Sequence, residues 1–239
     1  MKILSIGNSF SQDATRYLEA VSDGELFVRN LYIGGCSLER HASNIAKNAR
    51  EYGYQKDAET TEMISINDAL LREKWDYVTV QQVSGFSGIY ESYEPYLTEV
   101  IDFIKKTSPS SKIVFHRTWA YENGSDHGDF PRYLCDSDIM LERIIEASTA
   151  AAVRHALRVI PVGNAVQRAR RLPEFDVSRG GVLITRDYFH LSLDYGCYLA
   201  ALVWYGFFTG KNPEDVSFAP QGTDPEINAK LKRIASEVL

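Results

Sequence analysis

A serine, a histidine and an aspartate that together could cleave an ester lie at opposite ends of this chain. Ser9 stands in Gly7-Asn-Ser-Phe10, directly after the apolar run Ile3, Leu4 and Ile6, which reads as a buried strand. A serine on a sharp strand-to-helix turn exposes its Oγ beside backbone N–H groups. Such a nucleophile needs a base, and the base needs an orienting carboxylate. Asp187-Tyr-Phe-His190 offers both on one short loop. Its three-residue step lets the carboxylate fold back onto imidazole Nδ1 and leaves Nε2 to take the serine proton. A plainer reading stands beside this one: Ser9 as a turn residue that helps cap the next helix, and Asp187 and His190 as parts of an ordinary capping loop.

Either reading needs a scaffold. Hydrophobic period and turn residues predict a helix over about residues 12–21, with Ser11 as its better N-cap, and a strand over 26–33 that ends at Gly34-Gly35-Cys36-Ser37. Ser37 caps a helix reaching to about residue 51. Residues 52–66 suggest a small hairpin turning across Asp57-Ala-Glu-Thr60, and Asn67 caps a short helix. A strong strand over 75–81 leads into the glycine- and serine-rich segment 82–88. A helix over 94–106, a strand over 112–118, a long loop over 119–134, a helix over 136–155, a strand over 157–162 and a helix over 165–171 follow. Segment 183–192 precedes an apolar helix over 198–209 that Gly210 ends, and Thr223-Asp-Pro-Glu226 opens the last helix. Strands alternating with helices predict one three-layer α/β/α domain over residues 1–239. Its expected centre is a five-stranded parallel sheet in the flavodoxin-like order 2-1-3-4-5.

The bulk numbers exclude several classes. The chain has 239 residues, 44% hydrophobic and 24% charged, an ordinary globular balance. A net charge of −6 lacks the basic stripe that nucleic-acid binding needs. Three widely spaced cysteines, Cys36, Cys135 and Cys197, form neither a zinc pattern nor a disulfide framework. No metal or cofactor is expected, and no Gly-x-Gly-x-x-Gly or Walker pattern supports a nucleotide or flavin site. Met1 leads straight into the first strand without a signal-peptide pattern, which predicts a cytoplasmic protein unless a secreted one has been trimmed. The apolar segment 198–209 is too short to span a bilayer and reads as a buried helix, so no membrane partner is expected.

Four predicted strand ends bring polar or glycine-rich segments to one edge of the sheet: Gly7-Asn-Ser9, Gly34-Gly35, Gln81-Gln82-Val-Ser84 and His116-Arg-Thr-Trp119. The first three of these, taken in order with Asp187-x-x-His190, resemble the GDSL/SGNH hydrolases. Those enzymes carry an N-terminal Gly-Asp-Ser block, a glycine after the second strand, an asparagine after the third and an Asp-x-x-His block near the C-terminus. The resemblance spans nearly the whole chain, and within the superfamily it is nearest to a bacterial branch described as a domain of unknown function. It implies that Ser9 is the nucleophile, His190 the base and Asp187 its orienter, with the N–H groups of Ser9 and Gly35 (or Gly34) in the oxyanion hole. Two departures stand out. Asn8 occupies a position that is usually aspartate, and Gln81-Gln82-Val-Ser84 replaces the Gly-x-Asn-Asp block. Carbohydrate acetylesterases of the superfamily can use a glutamine on this loop, so the resemblance implies that Gln81 or Gln82 donates to the oxyanion. The implied activity is a serine esterase working through an acyl-enzyme on a small ester, foremost an O-acetyl group on a carbohydrate. A non-catalytic carbohydrate-binding module on the same fold is the alternative.

Gly34, Ser84, His116 and Trp119 are expected at the substrate. His116 alternatively buttresses the triad or is a core histidine. Trp119, Tyr121, Phe130 and Tyr133 either wall an acyl or sugar pocket or pack the long loop. Ser125-Asp-His-Gly-Asp129 reads as a solvated lid, since its ligands are too crowded for a usual zinc site. His41 and His155 are expected to be exposed or structural, and Arg168, Arg170 and Arg171 to form a solvated helix face.

Overall fold

In the computed structural model, which describes residues 1–239, the predicted β-runs become β1 (Lys2–Gly7), β2 (Phe27–Tyr32), β3 (Tyr52–Lys56), β4 (Glu59–Ile64), β5 (Tyr77–Val80), β6 (Lys112–His116) and β7 (Arg158–Ile160). They form a single sheet in the order β4-β3-β2-β1-β5-β6-β7. The parallel strands keep the expected order, but the sheet has seven strands rather than five, because the hairpin β3–β4 pairs antiparallel with β2 through Tyr32↔Gly53. Its turn is tighter than the sequence suggested. Lys56 pairs directly with Glu59, and Asp57 and Ala58 take φ of 50° and 68°. Positive φ at both central residues gives the turn whose twist matches the strands. Asp-Ala lacks the glycine that usually announces it.

Nine helices cover the two faces: α1 (Ser9–Thr15), α2 (Leu18–Val21), α3 (Leu38–Lys47), α4 (Ile66–Arg72), α5 (Tyr96–Thr107), α6 (Ser137–His155), α7 (Val162–Ala169), α8 (Tyr195–Thr209) and α9 (Pro225–Glu237). Alternation along the strands sends neighbouring side chains to opposite faces. Ile3, Val28, Val114 and Ile160 pack with α1, α2, α7, α8 and α9. Leu4, Ile6, Leu31, Val78, Val80 and Phe115 pack under α3, α4 and α5. Burying each such side chain contributes about 1.5–3 kcal/mol. Helix α8 is buried on every side from Gly196 to Phe208, and Gly210 ends it at φ 69°. No helix is long and apolar enough to cross a membrane.

Two caps differ from expectation. Helix α1 begins at Ser9, because Asn8 is its N-cap and accepts the Phe10 N–H at 2.9 Å. Ser11 therefore lies inside the helix, buried, with its Oγ donating to the Asn8 carbonyl at 2.8 Å. The helix also stops at Thr15, and the short α2 follows. Ser65 rather than Asn67 caps α4, accepting the Asp68 N–H at 3.1 Å. In each case the cap is the residue whose backbone is extended just before the helix.

The C-terminal ends of β1, β2, β5 and β6 share one edge, beside which α8 holds the loop carrying His190. A Cβ on Gly196 would lie 2.4 Å from the Ile184 carbonyl and 2.9 Å from Leu191 Cβ. Gly196→Ala must therefore push that loop off the helix at a cost of about 1–3 kcal/mol. Calorimetry should show a melting point several degrees lower; an unchanged one would refute this packing argument.

Candidate active site

The turn that presents Ser9 rests on a directed chain of buried amides. Asn8 Oδ1 already accepts the Phe10 N–H, so its Nδ2 is the atom that donates to the Cys36 carbonyl, at 3.1 Å. Facing Asn8 Oδ1 at 2.8 Å, Gln81 must present Nε2, which turns its Oε1 toward His116 Nδ1, also at 2.8 Å. His116 therefore carries its proton on Nδ1. Burial lowers its pKa to about 3, so the ring stays neutral. The chain His116–Gln81–Asn8–Cys36 joins the ends of β6, β5 and β1 to the loop after β2, and Ser9 sits on top as the first residue of α1.

The loop opposite is built around Asp187. One carboxylate oxygen accepts the backbone N–H of Phe189 at 3.3 Å and of His190 at 2.7 Å, and the other meets His190 Nδ1 at 2.7 Å. Burial would raise this carboxyl, but the hydrogen bonds and charge of His190 outweigh it and hold the pKa below the usual carboxylate range. With Nδ1–H given to Asp187, Nε2 is free, and it lies 2.8 Å from Ser9 Oγ. The structure brings Ser9, His190 and Asp187 into one hydrogen-bonded line.

Ser9 and His190 open into a cavity of about 270 Å³. Gly34 and Gly35 form one side, and neither N–H has a protein acceptor. Phe10, Tyr32, Val83 and Phe189 supply apolar surface, and Asn8, Ser84 and His127 supply polar atoms. Two openings of about 710 Å³ near α7 and α9 are larger. They contain no histidine and no nucleophile–base pair, so size does not mark the site here.

Several expected contacts lie elsewhere. Gln81 and Gln82 are each 1% exposed and do not line the cavity. Gln82 accepts the N–H groups of Leu38 and Val83 and donates to Ser92. Both side-chain amides are thus engaged inside the protein, and neither faces the cavity. His116 lies behind the nucleophile turn, edge-on to Trp204. Trp119 is fully buried; it stacks on Phe10 at 4.2 Å and donates to the Phe189 carbonyl at 2.8 Å, supporting the His190 loop from below. Tyr121, Phe130 and Tyr133 are buried as well. The segment read as a solvated lid puts His127 into the cavity wall. Arg170 is not solvated: it forms an ion pair with Glu122 at 3.0 Å, and both are buried. His41 is buried against Tyr52, and His155 bonds Glu94 at 2.6 Å.

A family model described as a domain of unknown function, DUF4886, matches residues 2–238. The chain belongs to the DUF4886 family. A DUF4886 family protein from Bacteroides uniformis, known by crystal structure, is 38% identical with a TM-score of 0.91, covering 100% of this chain and 94% of its own. A candidate SGNH hydrolase from Slackia heliotrinireducens is 24% identical, with a TM-score of 0.60 over 87% of this chain and 98% of that one. An acetyl xylan esterase, AlAXEase, is 14% identical, with a TM-score of 0.58 over 87% and 99%. The DUF4886 chain thus shares the mostly parallel α/β architecture of SGNH hydrolases. No curated protein matches it.

The amide chain gives a physical reason for an asparagine rather than an aspartate at position 8. Asn8→Asp would set a carboxylate oxygen against the Cys36 carbonyl, leaving two acceptors facing each other at a cost of about 1–3 kcal/mol. Protonation would restore a donor, so the variant's folded-state pKa is raised, and its deficit against wild type should grow as pH rises through the carboxylate range and shrink as pH falls. Melting curves across that range test the sign.

Proposed function

We propose that this protein is a serine esterase that hydrolyses small neutral esters, foremost O-acetyl groups on a carbohydrate. The observation that carries the reading is the unbroken line Ser9 Oγ–His190 Nε2–Asp187, with contacts of 2.8 and 2.7 Å. Ser9 Oγ attacks the ester carbonyl while His190 takes its proton, and Asp187 holds the imidazole and stabilises its charged form. The tetrahedral oxyanion forms beside the N–H groups of Ser9, an orphan donor of the first helical turn, and of Gly35. His190 then protonates the departing alkoxide, and water, activated by the same imidazole, releases the acyl group. A cavity of about 270 Å³ without a lysine, arginine, aspartate or glutamate in its wall suits a short uncharged acyl group. The acetyl xylan esterase with this fold makes acetylated sugars the first natural substrates to assay.

Hydrolysis of p-nitrophenyl acetate should fall at least about a thousandfold in Ser9→Ala, and on the order of a hundredfold or more in Asp187→Asn, which leaves His190 in the wrong tautomer. A fluorophosphonate should label Ser9 covalently, and His190→Ala should abolish labelling. A wild-type protein that is neither labelled nor active on a broad ester panel, yet binds a sugar, would favour the non-catalytic module. Engagement of both glutamines elsewhere is the observation that keeps that second reading alive.

A further inference from the structure

With Gln81 and Gln82 engaged, the cavity lacks the side-chain oxyanion donor implied by resemblance, but a second hydrogen-bonded chain reaches it at Ser84 and His127. Its direction follows from its far end. His127 Nδ1 accepts the Asp129 N–H at 3.2 Å, so the neutral ring carries its proton on Nε2. That nitrogen lies 3.3 Å from Tyr121 Oη and donates to it. The phenol proton then goes to Ser84 Oγ, 2.9 Å away. Burial raises the Tyr121 pKa well above its ordinary value, which keeps the phenol a donor. Ser84 Oγ makes no other hydrogen bond within the protein, so its own proton is left without an acceptor.

Ser84 is held firmly. It opens a short helical turn, Ser84–Phe86, whose Ser84 carbonyl accepts Ser87 Oγ at 2.7 Å. The next residue is glycine for a steric reason: a Cβ on Gly85 would lie 2.1 Å from Asp129 Oδ2, so this turn and the His127 segment are packed together. Ser84 is 6% exposed and lines the same cavity as Ser9 and Gly35. We propose that Ser84 Oγ–H is the side-chain donor to the oxyanion, polarised by the chain from His127 through Tyr121. This deepens the esterase reading and rests on it. Ser84 lines the same cavity as Ser9, Gly34 and Gly35, so its hydroxyl would join the N–H groups of Ser9 and Gly35 in meeting the developing charge. Each donation to Ser84 Oγ makes its own proton a stronger donor.

The test is steady-state hydrolysis of p-nitrophenyl acetate by the full chain, with inhibition by phenylboronic acid, whose tetrahedral serine adduct mimics the intermediate. Ser84→Ala should lower kcat by roughly a hundredfold with little change in KM, and boronic acid affinity should fall in parallel. Tyr121→Phe, which removes the proton given to Ser84, should lower kcat several-fold, and Ser84→Thr should retain most activity. The last two variants carry the test if Ser84→Ala melts early. A Ser84→Ala enzyme with unchanged kcat, or one whose loss lies wholly in KM with boronic acid binding intact, overturns the assignment while Ser9-dependent turnover keeps the esterase reading standing. A wild-type chain without Ser9-dependent turnover removes both.

Discussion

The buried carboxylate of Asp13 decides how the two halves of the site meet. It lies four residues after Ser9 on α1, hence on the same helical face, and is fully buried. Arg186 Nη1 reaches both of its oxygens, at 3.1 and 3.0 Å, and the Leu191 N–H reaches one at 3.0 Å. The same guanidinium also donates to the Leu191 carbonyl. The residues on either side of Asp187–His190 are thereby bolted to the helix that presents Ser9. Burial raises the Asp13 carboxyl, and Arg186, His190 and the Leu191 N–H oppose that shift. Every partner of Asp13 is a donor, and a protonated acid would find no acceptor among them, so the ionised form is the one this pocket fits. Pulling the loop away would strand a buried charge, a loss of several kcal/mol. The distance between Ser9 and His190 is thus defended by an ion pair that lies outside the Ser9–His190–Asp187 line itself.

A second constraint acts beneath the nucleophile. Four polar groups in the chain His116–Gln81–Asn8–Cys36 are buried, and each can be satisfied only if its neighbour has one particular donor or acceptor. Such networks stabilise when complete and cost heavily when one member is wrong. This couples the two departures from the superfamily pattern. Asn8 needs an amide donor for Cys36, and Gln81 needs a carbonyl oxygen to accept from its own other neighbour, His116, while giving its amide to Asn8. An aspartate at position 8 or a glycine at position 81 would break the chain in the middle. The glutamine therefore belongs to the support of Ser9, and the proposed esterase mechanism needs other groups to meet its oxyanion.

The candidate line Ser9–His190–Asp187 was legible because each of its two parts has a local signature: a serine at a strand end, and a carboxylate three residues from an imidazole. The parallel sheet order was legible from strand-helix alternation. What sequence could not show is the direction a polar residue takes at a strand end. Gln81, Gln82 and His116 all stand where ligand contacts occur, but at such positions a side chain turns either into the crevice or back between layers, and neighbouring amides decide which. Arg170 was misread because a cation near a helix end is usually solvated; here the 119–134 loop folds over it and brings Glu122. His127 and Tyr121 lie on that same loop, whose path depends on contacts with residues far along the chain. Asp57-Ala58 adopts a glycine-favoured turn without glycine, which hid how tight the hairpin is and how readily it extends the sheet.

That long loop is a wall rather than a lid. Trp119 is clamped between Phe10 and the Phe189 carbonyl. The Glu122 N–H donates to the Tyr188 carbonyl at 2.7 Å, and the Glu122 carboxylate joins Thr185 on the His190 loop to Arg170. The bonds from Trp119 and Glu122 to Phe189, Tyr188 and Thr185 tie residues 119–122 to the segment that carries Asp187 and His190, so that segment and this loop form one packed unit. Donors fixed before a substrate arrives need no reorganisation as charge develops, which is where electrostatic stabilisation of a tetrahedral intermediate is most effective. On the esterase reading proposed above, the same rigidity would limit the acyl group to what fits the cavity of about 270 Å³, so effectiveness and selectivity for small groups would share one cause.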